Sequence, residues 1–409
     1  MSFDATLDKA VQDGVIPGAV LLAMDRSGTC HLTTTNYYAI PALRLALTQM
    51  ATRETQLQKV LGRRTLKPGV EDPLRLDTVF TVASMTKLLT TLCVLQLSER
   101  GVIALDDDVS EHLPILAKQP VLTGFADDGS PTLEKRDRPL TARHLLTHSS
   151  GAGYLFLDPR LKQYVEHTKP KKPSGTIDEL FALPLLHQPG EGWTYGSGIT
   201  WAGRLVEKLT GQSHHILPQE VSELAGQVSD MTFRRGDGGL RHAPPGLSFF
   251  PPLKDCLGGE GAYADLQDYI KVVYSLLVDD EKLLKRETTR LMFQPQLPTQ
   301  ASRDALRETF EVASWAVGDF SGPKEFDWAY GGLLVVGDKH PIRRKGYLCW
   351  SGAANLYWFI DRDAGVCGVW GTQVLPAGDE KVRPLIGAFE RHVYAMAKEA
   401  NGNERTSKW

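Results

Sequence analysis

Strand-forming sequence lies near both ends of this 409-residue chain, with mostly helical sequence between. Near the start, the apolar run 19–24 stops at Asp25-Arg-Ser-Gly28, the pattern of a strand and a turn. Near the other end, KGYLCWSGAANLYWFIDRDAGVCGVWGTQVL over 345–375 alternates and contains Asp361-Arg-Asp-Ala-Gly365. That predicts two antiparallel strands joined by a turn. Residues 105–265 carry helical patterns and long polar loops, with few alternating runs. Half-buried strands this far apart in sequence hide their apolar faces by joining one sheet. The expected class is α+β: an antiparallel sheet flanked by helices, formed from both chain ends, with a mainly helical domain inserted. Residues 1–104 and 266–409 are the expected discontinuous sheet domain, and 105–265 the insert. Helices are expected at 5–14, at 84–100 with Gly101 as C-terminal cap, and at 379–399.

Composition excludes several classes. With 42% hydrophobic residues the chain can bury a large core, and a net charge of −3 gives no reason to expect a nucleic-acid partner. Its one basic run, Thr168-Lys-Pro-Lys-Lys-Pro173, is short and broken by proline, as in a solvated loop. The first residues include Asp4 and Asp8 and no long apolar run, which argues against a secretory signal and a membrane span. Five scattered cysteines, at 30, 93, 256, 349 and 367, form no C-x-x-C pair and read as reduced thiols of a cytoplasmic protein. No H-E-x-x-H or paired-cysteine pattern implies a metal, and no G-x-S-x-G implies a hydrolase elbow.

The stretch TVASMTKLLTTLCVLQLSERG, 81–101, sets Ser84 and Lys87 one turn apart at a helix mouth. A serine hydroxyl is a poor nucleophile until a base takes its proton. Lysine serves as that base only when neutral, against a free pKa of roughly 10.4. The helix N-terminus favours the negative charge that develops during acyl transfer. Alone, the tetrapeptide reads better as an N-cap serine beside a surface lysine. Two other stretches add weight. PGEGWTYGSGITWAG, 189–203, offers Tyr195 as a proton shuttle and Ser197 beside it, between a turn and another helix. RKGYLCWSGAAN, 344–355, places Trp350, Ser351 and Gly352 on a strand, with the Ala353 N–H as a second oxyanion donor.

These motifs, in this order, resemble the serine β-lactamase and penicillin-binding protein superfamily, whose S-x-x-K, Tyr-x-Asn and K-T-G elements match Ser84–Lys87, Tyr195–Ser197 and Trp350–Gly352. IPGAV at 16–20, LTARHLLTHSSGAGY at 140–154 and GGEGAYADLQDYIK at 258–271 agree, so the resemblance spans nearly the whole chain. Within it, TKLLTTL, PVLTGFADDG, HLLTHSSGAGYLFLDP and SDMTFR are most similar to the fungal acyltransferase branch that attaches the lovastatin side chain. The resemblance implies an acyl-Ser84 intermediate, with Lys87 and Tyr195 deprotonating first the serine and then the acceptor. The oxyanion would lie between the Ser84 and Ala353 N–H groups. It implies no cofactor and no metal. The donor would be an acyl thioester, on a carrier protein or a small molecule, and the acceptor a small-molecule alcohol of polyketide type. Neither a nucleic acid nor a membrane takes part.

Departures from the pattern narrow this. Trp350 replaces the K-T-G lysine and Ser197 the Tyr-x-Asn asparagine, which favours an esterase or acyltransferase over a lactam hydrolase. Residues 177–188 lack an arginine and 373–381 lack a tryptophan that the statin branch carries, so an acceptor other than a statin acid is expected. SFFPP at 248–252 and Trp350 suggest an aromatic-walled cleft, with core packing as the alternative. Tyr154, Phe249, Ser197 and Trp350–Gly352 are the candidate substrate contacts. Residues 33–58 look like extra length, a surface excursion or a gene-model artefact, and carry no expected chemistry. His148 is implied to be structural, Cys349 faces away from Trp350, and Glu191 and Glu260 are candidates for tuning the site. The competing readings are an acyltransferase, an esterase or thioesterase with water as acceptor, a silent binding protein, and a β-lactamase.

Overall fold

A computed structural model describes residues 1–27, 57–212, 227–243, 253–320 and 322–406. Strands β1 (Gly18–Asp25), β2 (Leu57–Gly62), β3 (Phe326–Ala329), β4 (Gly332–Val335), β5 (Leu348–Gly352), β6 (Leu356–Asp361) and β7 (Val366–Gly371) form one sheet. Its order is β2-β1-β7-β6-β5-β4-β3, antiparallel throughout, so the two ends of the chain meet where β1 pairs β7. Register is set by pairs such as Val20↔Gly371, Tyr357↔Trp370 and Gly352↔Leu356. The α+β expectation holds.

The central strands are buried on both faces, which is why β1 reads as a continuous apolar run rather than an alternating one. Helix α1 (Phe3–Gln12) packs on the long C-terminal helix, while α2 (Thr86–Glu99), α3 (Ala142–Leu146), α4 (Gly198–Thr210), α5 (Leu266–Val278) and α6 (Gln300–Val312) follow between the chain ends. Helix α5 covers β1, β6 and β7 from one side, and α7 (Arg383–Thr406) covers β1 and β7 from the other. Leu266 of α5 lies over Gly371 and Phe389 of α7 over Gly368, and residues three apart on a strand point to opposite faces.

Two boundaries differ from expectation. The segment 345–375 forms three strands of the main sheet instead of two, plus Val374–Leu375, which pairs parallel with Thr232–Arg234. The extra reversal at Ala353-Ala-Asn355 opens with two alanines that continue the apolar run. There Asn355 takes φ +60, and its Nδ2 donates to Val374 O at 2.7 Å and Pro376 O at 2.8 Å. At the other site, the helix expected over 84–100 starts as a separate 3₁₀ turn, Ala83–Met85, before α2. Helix α2 is buried nearly all round and packs against α4, and Gly101 closes it at φ +69 as expected. Residues 33–56 of the suspected extra segment lie outside the described residues, and its last two, Leu57 and Gln58, open β2.

Candidate active site

The turn that carries Ser84 is held from three sides. Val82 N donates to Ala262 O at 3.1 Å, and Ala262 N donates to Thr86 Oγ1 at 3.0 Å. The Thr86 hydroxyl donates in turn to Ala83 O at 2.6 Å, and Tyr269 Oη to Met85 O at 2.8 Å. These bonds hold Ala83 at φ +47, a left-handed conformation that costs an L-residue about 1 kcal/mol or more. Ser84 is left half-buried at the mouth of α2. The end of β5 presses on the same turn: a Cβ on Gly352 would stand 2.5 Å from Val82 O, so only glycine permits the approach. Ala353, next along, is half-buried beside it.

Lys87 is fully buried, and its Nζ lies 3.1 Å from Ser84 Oγ. The remaining neighbours of Nζ are Gly259 O at 2.9 Å, Tyr154 Oη at 3.2 Å and Glu260 Oε1 at 3.4 Å. A two-residue ladder, Phe80–Thr81 with Tyr263–Ala264, brings the glycine-rich 258–260 loop alongside α2. Thr90 of α2 anchors that loop by donating to Gly258 O at 2.5 Å. Burial raises the Glu260 carboxyl above its ordinary range, and the adjacent Lys87 ammonium opposes that rise.

Tyr195 is half-buried, its ring 4.9 Å from Lys87 Nζ, and its Oη accepts from Trp350 Nε1 at 3.3 Å. Tyr154, counted from sequence as a substrate contact, is instead the hydroxyl that Lys87 touches, with its ring 5.8 Å from that of Tyr195. His148 is buried with its ring 4.7 Å from the Tyr195 ring, and Gly196 N donates to its Nδ1 at 3.4 Å. Burial and the nearby Lys87 hold its imidazole well below the usual range, so it stays neutral and supports Tyr195 by packing.

The other candidates divide. Trp350 is 2% exposed and packs 4.6 Å from Trp328, centroid to centroid, so it belongs to the core behind the site rather than to an open wall. Ser351 and Gly352 are buried on β5, and Ser197 is buried at the N-cap position of α4. Phe249 lies outside the described residues. Cys349 is buried away from the cleft with its thiol pushed up to about 12 by burial, and exposed Glu191 pairs with Arg138 at 2.8 Å. Of the two glutamates proposed to tune the site, Glu260 alone reaches Lys87. Sequence reasoning missed Trp315, stacked on Tyr195 at 4.9 Å, and Thr200, whose hydroxyl donates to Glu260 Oε2 at 3.0 Å.

A seven-stranded antiparallel sheet with a buried lysine behind a serine at a helix mouth defines the class of active-site serine proteins built on the β-lactamase/transpeptidase fold. Comparison with known proteins makes this specific. The chain belongs to the beta-lactamase family, whose model matches residues 3–388. It is 33% identical over 416 residues to monacolin J acid methylbutanoyltransferase of Aspergillus terreus, covering 95% of this chain and 94% of the relative. It is 34% identical over 419 residues to lovastatin esterase of Penicillium rubens, covering 96% and 97%. A mutant of simvastatin synthase from Aspergillus terreus superposes with a TM-score of 0.82 at 33% identity, over 97% of each chain. The family and branch expected from the motifs are confirmed.

Proposed function

We propose that the protein is a serine acyltransferase that moves an acyl group from a thioester to a hydroxyl of a polyketide-like small molecule through acyl-Ser84. The observation that carries this reading is the 3.1 Å contact between Ser84 Oγ and the buried Lys87 Nζ, in a chain aligned end to end with a methylbutanoyltransferase. In the first half-reaction Oγ attacks the thioester carbonyl while Lys87 takes its proton, and the sulfur leaves with that proton. The oxyanion is received by the Ser84 and Ala353 N–H groups. In the second half-reaction the acceptor hydroxyl attacks acyl-Ser84 and gives up its proton along the same route. Tyr195 serves that step: its oxygen accepts the Trp350 N–H, which leaves its own O–H free to turn toward a reacting group.

A hydrolytic reading is favoured by the equally long match to lovastatin esterase, and the two readings share the acyl-enzyme. They differ in whether water or an alcohol reaches it. The thioester is presented by a carrier protein or a small thiol, and the acceptor is assigned only as an alcohol. Residues 177–188 and 373–381 lack the arginine and tryptophan expected for a statin acid. Free thiols at Cys93, Cys349 and Cys367, all buried, accord with work in a reducing, cytoplasmic compartment.

The test is intact-protein mass spectrometry after brief mixing with a panel of acyl N-acetylcysteamine thioesters. The native protein is expected to gain one acyl group and Ser84→Ala none. Faster loss of the adduct when alcohols are added marks a transferase, and loss indifferent to them marks an esterase. An adduct that persists in Ser84→Ala would refute the mechanism.

A further inference from the structure

Lys87 Nζ is surrounded by more oxygens than an amine can serve. Gly259 O stands at 2.9 Å, Ser84 Oγ at 3.1 Å, Tyr154 Oη at 3.2 Å and Glu260 Oε1 at 3.4 Å. Beyond its bond to carbon, an sp³ nitrogen has only three directions to offer. Gly259 O and an ionised Glu260 can only accept, whereas the two hydroxyls can donate or accept. A neutral amine therefore spends its two N–H bonds on Gly259 and Glu260. Its lone pair is left facing the hydroxyls of Ser84 and Tyr154, the orientation that a base toward Ser84 requires.

We propose that Glu260 is a positioning residue that pins the Lys87 amine and, through its negative charge, stabilises the ammonium formed when Lys87 takes the Ser84 proton. This deepens the acyl-Ser84 reading and rests on it. In the acylation step the Ser84 O–H breaks as Oγ bonds to the acyl carbon, and the proton passes to Nζ. The resulting ammonium is held beside the carboxylate until the departing sulfur takes the proton. Glu260 itself gains no proton; it stabilises the cation that the step creates.

The surroundings hold the carboxylate in place for this. Thr200 Oγ1, on α4, donates to Oε2 at 3.0 Å and lies 3.3 Å from Oε1. The loop arrives in close contact: a Cβ on Gly259 would lie 2.6 Å from Thr200 Oγ1 and 3.4 Å from Lys87 Nζ. The groups facing Lys87 come from every element around it. Ser84 is on its own turn, His148 and Tyr154 are on the segment after α3, Tyr195 is on the segment before α4, and Glu260 is on the 258–260 loop. His148 is neutral, and among the described residues Glu260 is the one carboxylate paired with Lys87.

The direction of the effect follows. A negative charge beside Nζ favours the ammonium over the amine. Acylation needs the free amine, so its rate climbs with pH. Glu260→Gln removes the charge and should carry the climb to lower pH. Glu260→Asp keeps the charge at longer reach, so its climb should stay near the native pH while its rate falls.

The experiment is thiol release from an acyl N-acetylcysteamine thioester in single turnover, from about pH 6 to about pH 10 around the ordinary lysine range. Native protein, Glu260→Gln and Glu260→Asp are compared, with thermal melts to confirm folding; if the Gln variant fails to fold, Glu260→Ala replaces it. A downward shift in the uncharged variant and none in the Asp variant supports the proposal. A lower rate with the climb unmoved in the uncharged variant overturns it and leaves Glu260 a structural role. Native protein that never acylates Ser84 overturns the acyl-serine reading instead.

Discussion

Trp350 stands where the resembling superfamily has a lysine, and its side chain is turned into the molecule. Its ring is 2% exposed and its Nε1 donates to Tyr195 Oη. A lysine in that aromatic surround would bury a charge among rings, and without a paired anion that costs several kcal/mol. Trp350→Phe keeps an aromatic ring and removes the donor. Transfer is expected to slow about tenfold, the worth of one net hydrogen bond. Stability is expected to fall by about 1–3 kcal/mol from the space left in the core. Thiol-release kinetics and urea titration read the two effects separately, and a loss of stability at full rate would reduce the indole to packing. At this scale the sequence was legible where the chemistry is local. Ser84 and Lys87 stand three residues apart across the junction of the 3₁₀ turn and α2, so local spacing brings them together. Tyr154 and Tyr195 come from separate loops, and nothing in either motif decides which hydroxyl touches Lys87. Trp315 was invisible for the same reason: its stacking on Tyr195 depends on where the segment after α6 is laid down, and that segment bears no motif.

Among the elements, the β5–β6 turn couples the sheet to the site. Gly352 presses on Val82 O from one end of the turn, and Asn355 at the other holds Val374 O and Pro376 O. Alternation made the strands themselves legible, but it could not reveal the turn, because Ala353 and Ala354 continue the apolar run. Asn355→Ala loses three hydrogen bonds, counting the one its Oδ1 accepts from Asp379 N at 3.2 Å, and keeps a Cβ at φ +60 without the local bonding that makes this conformation tolerable for asparagine. It is expected to cost about 4 kcal/mol, the sum of the three bonds and the backbone strain. Asn355→Gly relieves the strain while losing the same bonds, so it should cost less. Urea midpoints of the two variants check this order; an alanine variant as stable as the glycine one would remove the strain from the account. The 3₁₀ turn before α2 was illegible on similar grounds, since Ala83 is held at positive φ by contacts with residues 262 and 269 rather than by its own preference.

For the whole molecule, the expectation of a sheet domain with an inserted domain sets a question that the core answers in part. One large cluster of buried side chains runs from Leu7 and Val20 in the N-terminal segment, through Leu145, Leu185 and Trp201 in residues 105–265, to Trp370 and Phe389 near the other end, and Leu122, Leu161 and Leu186 form a small separate one. Helix α2 is the shared member: twelve of its fourteen residues are buried, with Leu88 against Gly331 between β3 and β4 and with α4 packed on it. Separating the two segments would expose Leu88, Leu92, Leu95 and their partners to water, at about 1.5–3 kcal/mol for each large side chain. Neither segment keeps the other's half of that interface when it unfolds, so partial unfolding is costly on both sides. The site lies on this seam, because Ser84 and Lys87 lie just before and within the first turn of α2 while Tyr154 and Tyr195 belong to 105–265. Unfolding in urea is therefore expected as one cooperative transition, with tryptophan fluorescence and far-ultraviolet circular dichroism coincident. The capacity for Ser84 acylation should vanish in that same transition. Two resolved transitions, with residues 105–265 melting first, would mean that α2 carries its apolar surface at smaller cost than its burial implies, and that the two segments fold as independent units.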